Sequence, residues 1–207
     1  MVGMVKAEHS PEQASARTRM VVAAAQLLAR QGYQATSFSA VLDESGAPRG
    51  SIYHHFPEGK DQLVGAALDA AGGYARAQMA QWSGRSASEV LDAFLELWRT
   101  ILVRSDYRAG CSLVAVTVST LPEATGLVDQ AGALFDAWRS DLAGLLEQGG
   151  VADDLAPGLA TTIIAAAEGA VILCRAQGTT QPLNDVGGQL HLLVSASARE
   201  GAPTHEG

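Results

Sequence analysis

Arg49, Ser51, Tyr53 and His54 are the residues whose types and spacing first suggest chemistry. They fall within Pro48-Arg-Gly-Ser-Ile-Tyr-His-His-Phe56, where Ile52 and Phe56 sit four apart. That spacing puts both apolar side chains on one face of a short helix and leaves the polar set on the other. None of these is a nucleophile beside a base, and no metal-type spacing is present. What the set offers is a forked guanidinium, hydroxyls and an imidazole, the groups that meet phosphate oxygens and base edges in a DNA major groove. Arg49 can read a guanine edge or hold a phosphate. Ser51 can contact a base or a phosphate. Gly50 lowers helix stability by about 1 kcal/mol against alanine; its use would be close backbone approach to DNA.

A short helix needs a scaffold to present it. Upstream, Phe38, Val41 and Leu42 recur at i, i+3, i+4, so 38–45 reads as a first helix with one apolar face. Gly46 can take the left-handed conformation that ends it. Pro48 then opens the second helix, which is expected over 48–55. Thr36 and Ser37 precede the first helix; one caps it, and the same groups can take a phosphate. Two short helices joined by a tight turn make a helix-turn-helix.

The rest of the chain reads as helices too. Met20, Ala23, Ala24, Leu27 and Leu28 predict an amphipathic helix from about Ser15 to Gln31, stopping at Gly32. Tyr33 and Phe38 are expected to plug the core of the head. Lys60-Asp-Gln-Leu63 opens a long helix in which Gly72-Gly73 is a weak point. Ser86 or Ser88 caps a helix with Val90, Leu91, Phe94, Trp98 and Leu102 on its apolar face. Cys111–Val118 is rich in β-branched residues, but a lone strand among helices lacks a partner, so a short buried helix is expected. Leu127–Leu146 carry another helix. Asp153 and Asp154 can cap the next, 156–177, or at least favour its N-terminus, with Pro157 in its first turn. Leu183–Val194 mark the last. The reading is all-α, about nine helices: a flexible arm at 1–14, a three-helix DNA-binding head at 15–62, a helical body at 63–199 and a tail at 200–207.

Composition sets bounds. Apolar residues are 47 % of 207, enough for a core, and charged residues only 17 %, too few for a disordered chain. The net charge of −8 looks wrong for a DNA binder until it is divided. Residues 1–60 hold six basic and five acidic residues, net +1; residues 61–207 hold eight and seventeen, net −9. Phosphate neutralisation is local, so the acid of the larger part does not forbid DNA binding. No segment reads as a membrane span or signal peptide. Cys111 and Cys174 read as buried free thiols in a reducing cytoplasm.

Thr36-Ser37, Gly46-Ala47, Ile52-Tyr53-His54-His55-Phe56 and Lys60-Asp61-Gln62-Leu63 together resemble the signature of TetR-type transcriptional repressors, closely over residues 16–66. The Tyr-His-His-Phe-Pro-x-Gly-Lys run and Gly110-Cys111 resemble the drug- and flavonoid-responsive (LmrA/YxaF-like) subgroup. The resemblance implies a two-fold dimer whose body binds a small molecule and whose heads then release an operator. It gives Tyr53 and His54 phosphate contacts, gives Lys60 another, and adds Thr18 from the first helix. Two departures stand out. Pro48 replaces the usual Ser or Thr cap, and Phe56 to Lys60 is one residue longer than the commonest spacing.

In the body, Met79, Phe94, Trp98, Cys111, Phe135 and Trp138 are candidates to line a cavity for a small hydrophobic inducer, with ordinary core as the other reading. Glu168, in an Ala-rich helix, needs a partner if buried. The helices at 156–177 and 182–198 are expected to pair with their copies in a homodimer. No cofactor is expected. An enzyme is a poor competitor, because no nucleophile motif or phosphate loop appears. A helical small-molecule-binding protein without DNA binding is the other alternative.

Overall fold

A computed structural model describes residues 15–119 and 125–198. Within them the fold is all-α, with nine helices: α1 Ala16–Ala35, α2 Phe38–Ser45, α3 Ser51–His55, α4 Lys60–Met79, α5 Ala87–Arg104, α6 Ser112–Ser119, α7 Thr125–Gln148, α8 Ala156–Gln177 and α9 Gln181–Ala196. A single 3-10 turn, Ala80–Trp82, follows α4. The arm at 1–14 and the tail at 200–207 lie outside the described residues.

Local chemistry accounts for most of the boundaries. Ser15 caps α1 by accepting from the Thr18 amide at 3.2 Å. Gly32 does not end α1. It takes a positive φ of 79°, kinks the chain, and helix resumes to Ala35. Ser37 caps α2, accepting from the Ala40 amide at 3.2 Å, and Gly46 closes it at φ 62°. At the N-terminus of α5, Ser86 and Glu89 form a reciprocal capping box.

Three expectations need correction. The second helix of the motif begins at Ser51, not at Pro48, because Pro48-Arg49-Gly50 forms a turn closed by the Ser51 amide on the Pro48 carbonyl at 2.9 Å. α4 runs through Gly72-Gly73 without a break. Gly72 is there for room: a Cβ would sit 2.8 Å from Leu134 Cδ2, and the Trp138 indole donates to the Gly72 carbonyl at 3.1 Å. Neither Asp153 nor Asp154 is the N-cap of α8; Leu155 holds that position.

α8 also corrects the membrane reading, for it is long and apolar enough to cross a bilayer by length and composition. Its packing gives another reason for that composition. It lies against α5, α7 and α9, and its inner face, from Ala156 through Ile163 and Ala167 to Cys174, is buried in the body. Close packing of this Ala-rich face is what the small residues permit.

Head and body share one core. Met20, Leu28, Ile52, Phe56, Leu63 and Leu68 are fully buried in the same cluster as Phe94, Leu102, Leu113 and Leu142. α1 packs on α2, α4 and α6, while α4 runs on to pack against α7. Hydrogen bonds fasten α1 to the body. The Gly110 amide donates to the Ala29 carbonyl at 2.9 Å and Ser112 Oγ to the Ala25 carbonyl at 3.1 Å. The Arg175 guanidinium donates to the Arg30 carbonyl at 3.2 Å, and the Tyr33 amide to Ser119 Oγ at 3.4 Å.

Candidate DNA-binding face and ligand cavity

Ile52 and Phe56 are fully buried and hold α3 down by its apolar side. The side left outward carries Tyr53 and His54, with Arg49 and Gly50 exposed in the turn before it. Tyr53 is 68 % exposed, its ring edge-on to Phe38 with centroids 5.5 Å apart. That contact fixes the ring and leaves the hydroxyl outward. His54 stacks edge-wise on His55, and His55 on Phe56, so the imidazole pair leans on the buried end of α3. Ser51 Oγ donates to the Pro48 carbonyl at 2.6 Å. Its proton therefore holds the turn, and toward DNA it has only acceptor capacity left.

Gly50 has φ −71° and ψ −20°, which any residue adopts. A Cβ there would meet nothing within 4 Å inside the protein. Nothing intramolecular requires glycine at this point.

The hydroxyls at the edge of the face divide. Thr18 is exposed on the first turn of α1, where its Oγ1 lies 2.9 Å from Ser15 Oγ. Ser37 is exposed at the N-terminus of α2. Thr36 is placed differently from the expectation: it is fully buried and its hydroxyl donates to the Gly32 carbonyl at 2.9 Å. That hydroxyl closes the kink of α1 and does not face outward.

Lys60 is half-buried. Its Nζ sits 3.9 Å above the Tyr33 ring and 3.5 Å from the Gln34 carbonyl. Burial lowers its pKa, and the neighbouring Asp61 carboxylate works the other way. The Tyr33 hydroxyl donates to Asp61 at 2.5 Å. Burial pushes the phenol up to about 12, with the Asp61 hydrogen bond and charge adding to it. Tyr33 is therefore a half-buried bracket between α1 and α4, not an interior plug. Arg17, which the sequence reading passed over, holds its guanidinium 5.4 Å from the Phe56 ring centroid on the same end of the head.

The second feature is a cavity of about 620 Å³. Its walls come from α1, α4, α5, the 105–113 segment and Trp138 of α7. Of the six sequence candidates, Phe94, Trp98, Cys111 and Trp138 line it. Met79 and Phe135 are not among its lining residues. Met79 is buried in the core, and Phe135 packs edge-on against Trp138 with ring centroids 5.5 Å apart. The lining that the sequence did not flag is mostly small or short: Val22, Ala25 and Ala29 of α1, Ala70 and Ala71 of α4, Ala109 and Gly110 of the loop. Such residues give no chemical signal; only the packing of α1 against the body reveals them.

Behind the cavity wall, Cys111 finds the partner that Glu168 needs. The thiol hydrogen-bonds the carboxyl, and burial raises the Glu168 pKa to about 7 against that bond. Its Oε1 is buried with no hydrogen-bond partner among the described residues. Burial, and the Glu168 charge after it, push the Cys111 thiol well above its ordinary value. Both cysteines are free and buried. No cluster of three or more His, Cys, Asp or Glu residues suited to a metal occurs among the described residues.

These features agree with what the chain is similar to. Residues 21–67 match the family described as bacterial regulatory proteins, tetR family. Residues 87–189 match the LmrA/YxaF-like transcriptional regulator C-terminal domain. The HTH-type transcriptional regulator Rv0196 of Mycobacterium tuberculosis is 39 % identical over 189 residues, covering 89 % of this chain and 96 % of that protein. The HTH-type transcriptional regulator YxaF of Bacillus subtilis is 29 % identical over 183 residues, covering 86 % and 94 %. A solved TetR transcriptional regulator from Chloroflexus aurantiacus superposes with a TM-score of 0.71 at 28 % identity, covering 89 % and 96 %. DNA binding and dimerisation go with this family, and enzymatic chemistry does not. The chain belongs to the TetR family of bacterial transcriptional regulators.

Proposed function

We propose that the protein is a ligand-responsive repressor of the LmrA/YxaF-like subgroup, acting in the cytoplasm with no membrane partner. Its dimer grips a pseudo-palindromic operator through α3 and the turn before it, and lets go when a small hydrophobic molecule fills the cavity. The observation that carries this reading is the position of the cavity, one wall of which is α1, the first helix of the head. A ligand there presses on the helix that Gly110, Ser112 and Arg175 hold in place. Filling the cavity must favour a head spacing that does not fit DNA, because equal affinity for both states shifts nothing.

Arg49 is assigned base or phosphate contact, Tyr53 and His54 phosphate contact, and Ser51, Gly50, Thr18 and Ser37 the edges of the same footprint. Lys60 reaches a phosphate only by leaving Tyr33. The dimer is assigned to α8 and α9, whose outer faces expose Ile172, Leu173, Leu192 and Leu193. Single apolar residues on a surface are ordinary; four on two helices that pack together give a dimer interface something to cover. Two recognition helices then stand about 34–36 Å apart, or a multiple of it.

The test is a titration of the full-length protein on the promoter region beside its own gene, repeated with hydrophobic compounds. Tight salt-sensitive binding that a compound reverses supports the reading. Absence of any specific binding there, or binding that no cavity-sized compound weakens, counts against it.

A further inference from the structure

The three acidic side chains of α5 all lie away from the cavity. One face of this helix, with Phe94, Trp98, Ile101 and Arg104, lines the cavity. The other face carries Glu89, Asp92 and Glu96, which border a separate open groove with Arg85 and Arg99. Those acids are occupied there: Glu89 in the capping box, Asp92 with His191 at 2.9 Å, Glu96 with Arg99 at 3.1 Å. No Asp or Glu lines the cavity among the described residues; its two charged lining residues are Arg30 and Arg104.

The two arginines differ. Arg30 is paired with Glu44 at 3.3 Å. Arg104 has no ionic or hydrogen-bonding partner among the described residues. The nearby Asp106 is engaged with Arg108 at 3.3 Å. Residues 61–207 hold seventeen acidic and eight basic residues. Arg76, Arg99, Arg108 and Arg139 each hold a carboxylate.

We propose that the molecule taken up by the cavity is an amphipathic anion, an apolar ring system ending in a carboxylate, whose charge is held by Arg104. This rests on the ligand-cavity reading above and narrows it. The apolar body lies between the small residues of α1 and α4 and the aromatic rings of Phe94, Trp98 and Trp138. The carboxylate lies toward the C-terminal end of α5, where a planar guanidinium can take both its oxygens. The site remains partly open to water at that end, so the pair contributes modestly. A fully apolar ligand would leave Arg104, unpartnered among the described residues, unused beside it.

The experiment compares anthracene-9-carboxylate with anthracene-9-carboxamide, which has nearly the same shape and no charge. Binding of each to the full-length protein is measured by calorimetric titration at pH 7.5. The carboxylate should bind about fivefold more tightly, the size of a half-solvated ion pair. Arg104→Met should abolish that preference, so that carboxylate and amide bind alike. Arg104→Lys should restore part of it, and Arg30→Met should leave it intact. The proposal is overturned if the amide binds as tightly as the carboxylate, or if the preference survives Arg104→Met. Amide binding without a charge preference sinks this inference alone and leaves the cavity reading standing. If neither compound binds at millimolar concentration, the cavity reading falls and takes this inference with it.

Discussion

Ser112, the first residue of α6, donates its hydroxyl to the carbonyl of Ala25, in the middle of α1, across 3.1 Å. Ser112 and Ala25 also both line the cavity. The bond therefore runs along the wall on which, in the proposed function, a ligand presses to move the head. Ser112→Ala should cost about 1 kcal/mol in unfolding free energy, the ordinary worth of such a bond. It should also reduce the factor by which a bound compound weakens operator affinity. Chemical denaturation and operator titrations with and without compound read the two effects separately. An unchanged ligand effect would show that the α6–α1 bond takes no part in release.

Glu168 gives stability a pH dependence of known sign. Its folded pKa stands near 7, above the ordinary carboxylate value of 4.5. The folded protein therefore holds the proton more tightly than the unfolded chain, and stability falls as pH rises from about 4.5 to 7. The fall is about 3 kcal/mol for this one group, an upper figure for a buried carboxyl. Glu168→Gln keeps the shape and removes the titration. Unfolding curves at pH 5 and pH 8 should show a smaller difference in that variant. An identical difference would mean that the carboxyl does not titrate in this window.

Gly50 separates folding from DNA binding. Its φ of −71° suits any residue and a Cβ would touch nothing within 4 Å. Gly50→Ala should leave stability unchanged or raise it by up to about 1 kcal/mol. Operator affinity should nevertheless fall, because in the proposed docking the added methyl would stand between the turn and the DNA backbone. Retained affinity would place Gly50 off the DNA surface.

The exposed pairs Ile172–Leu173 and Leu192–Leu193 are where the proposed dimer interface is tested. Leu173→Glu with Leu192→Glu should give a folded monomer by sedimentation, since neither side chain is buried within one chain. The helical circular dichroism should persist and operator binding should weaken steeply. A dimer that survives both changes would put the interface elsewhere.

Local grammar made the head readable from sequence. Ser37 before an apolar i, i+3, i+4 run, Gly46 after it, and Ile52 four residues before Phe56 are each set by neighbours in the chain, and each stands where its pattern implied. The turn at Pro48 was misread because proline at a helix start and proline opening a tight turn look alike; the Ser51 bond to the Pro48 carbonyl decides between them. Thr36 looked like a surface cap, and only the kink at Gly32 shows that it is buried. The cavity was half legible. Phe94, Trp98 and Trp138 announce themselves by size, whereas Ala25, Ala29, Ala70 and Ala71 line it by leaving room. The Cys111–Glu168 pair joins residues far apart in the chain, and no periodicity links them.

In the proposed function the face built from Arg49 and Tyr53 holds the operator. Both side chains point outward and neither supports the core, so Arg49→Ala/Tyr53→Ala should fold as the parent does. The most direct measurement is an operator titration of this double variant by fluorescence anisotropy across a range of salt concentrations. Affinity should drop by about a hundredfold, two contacts of 1–3 kcal/mol each, with a shallower salt slope from the lost Arg49 charge. Operator binding of unaltered affinity and salt slope would contradict it.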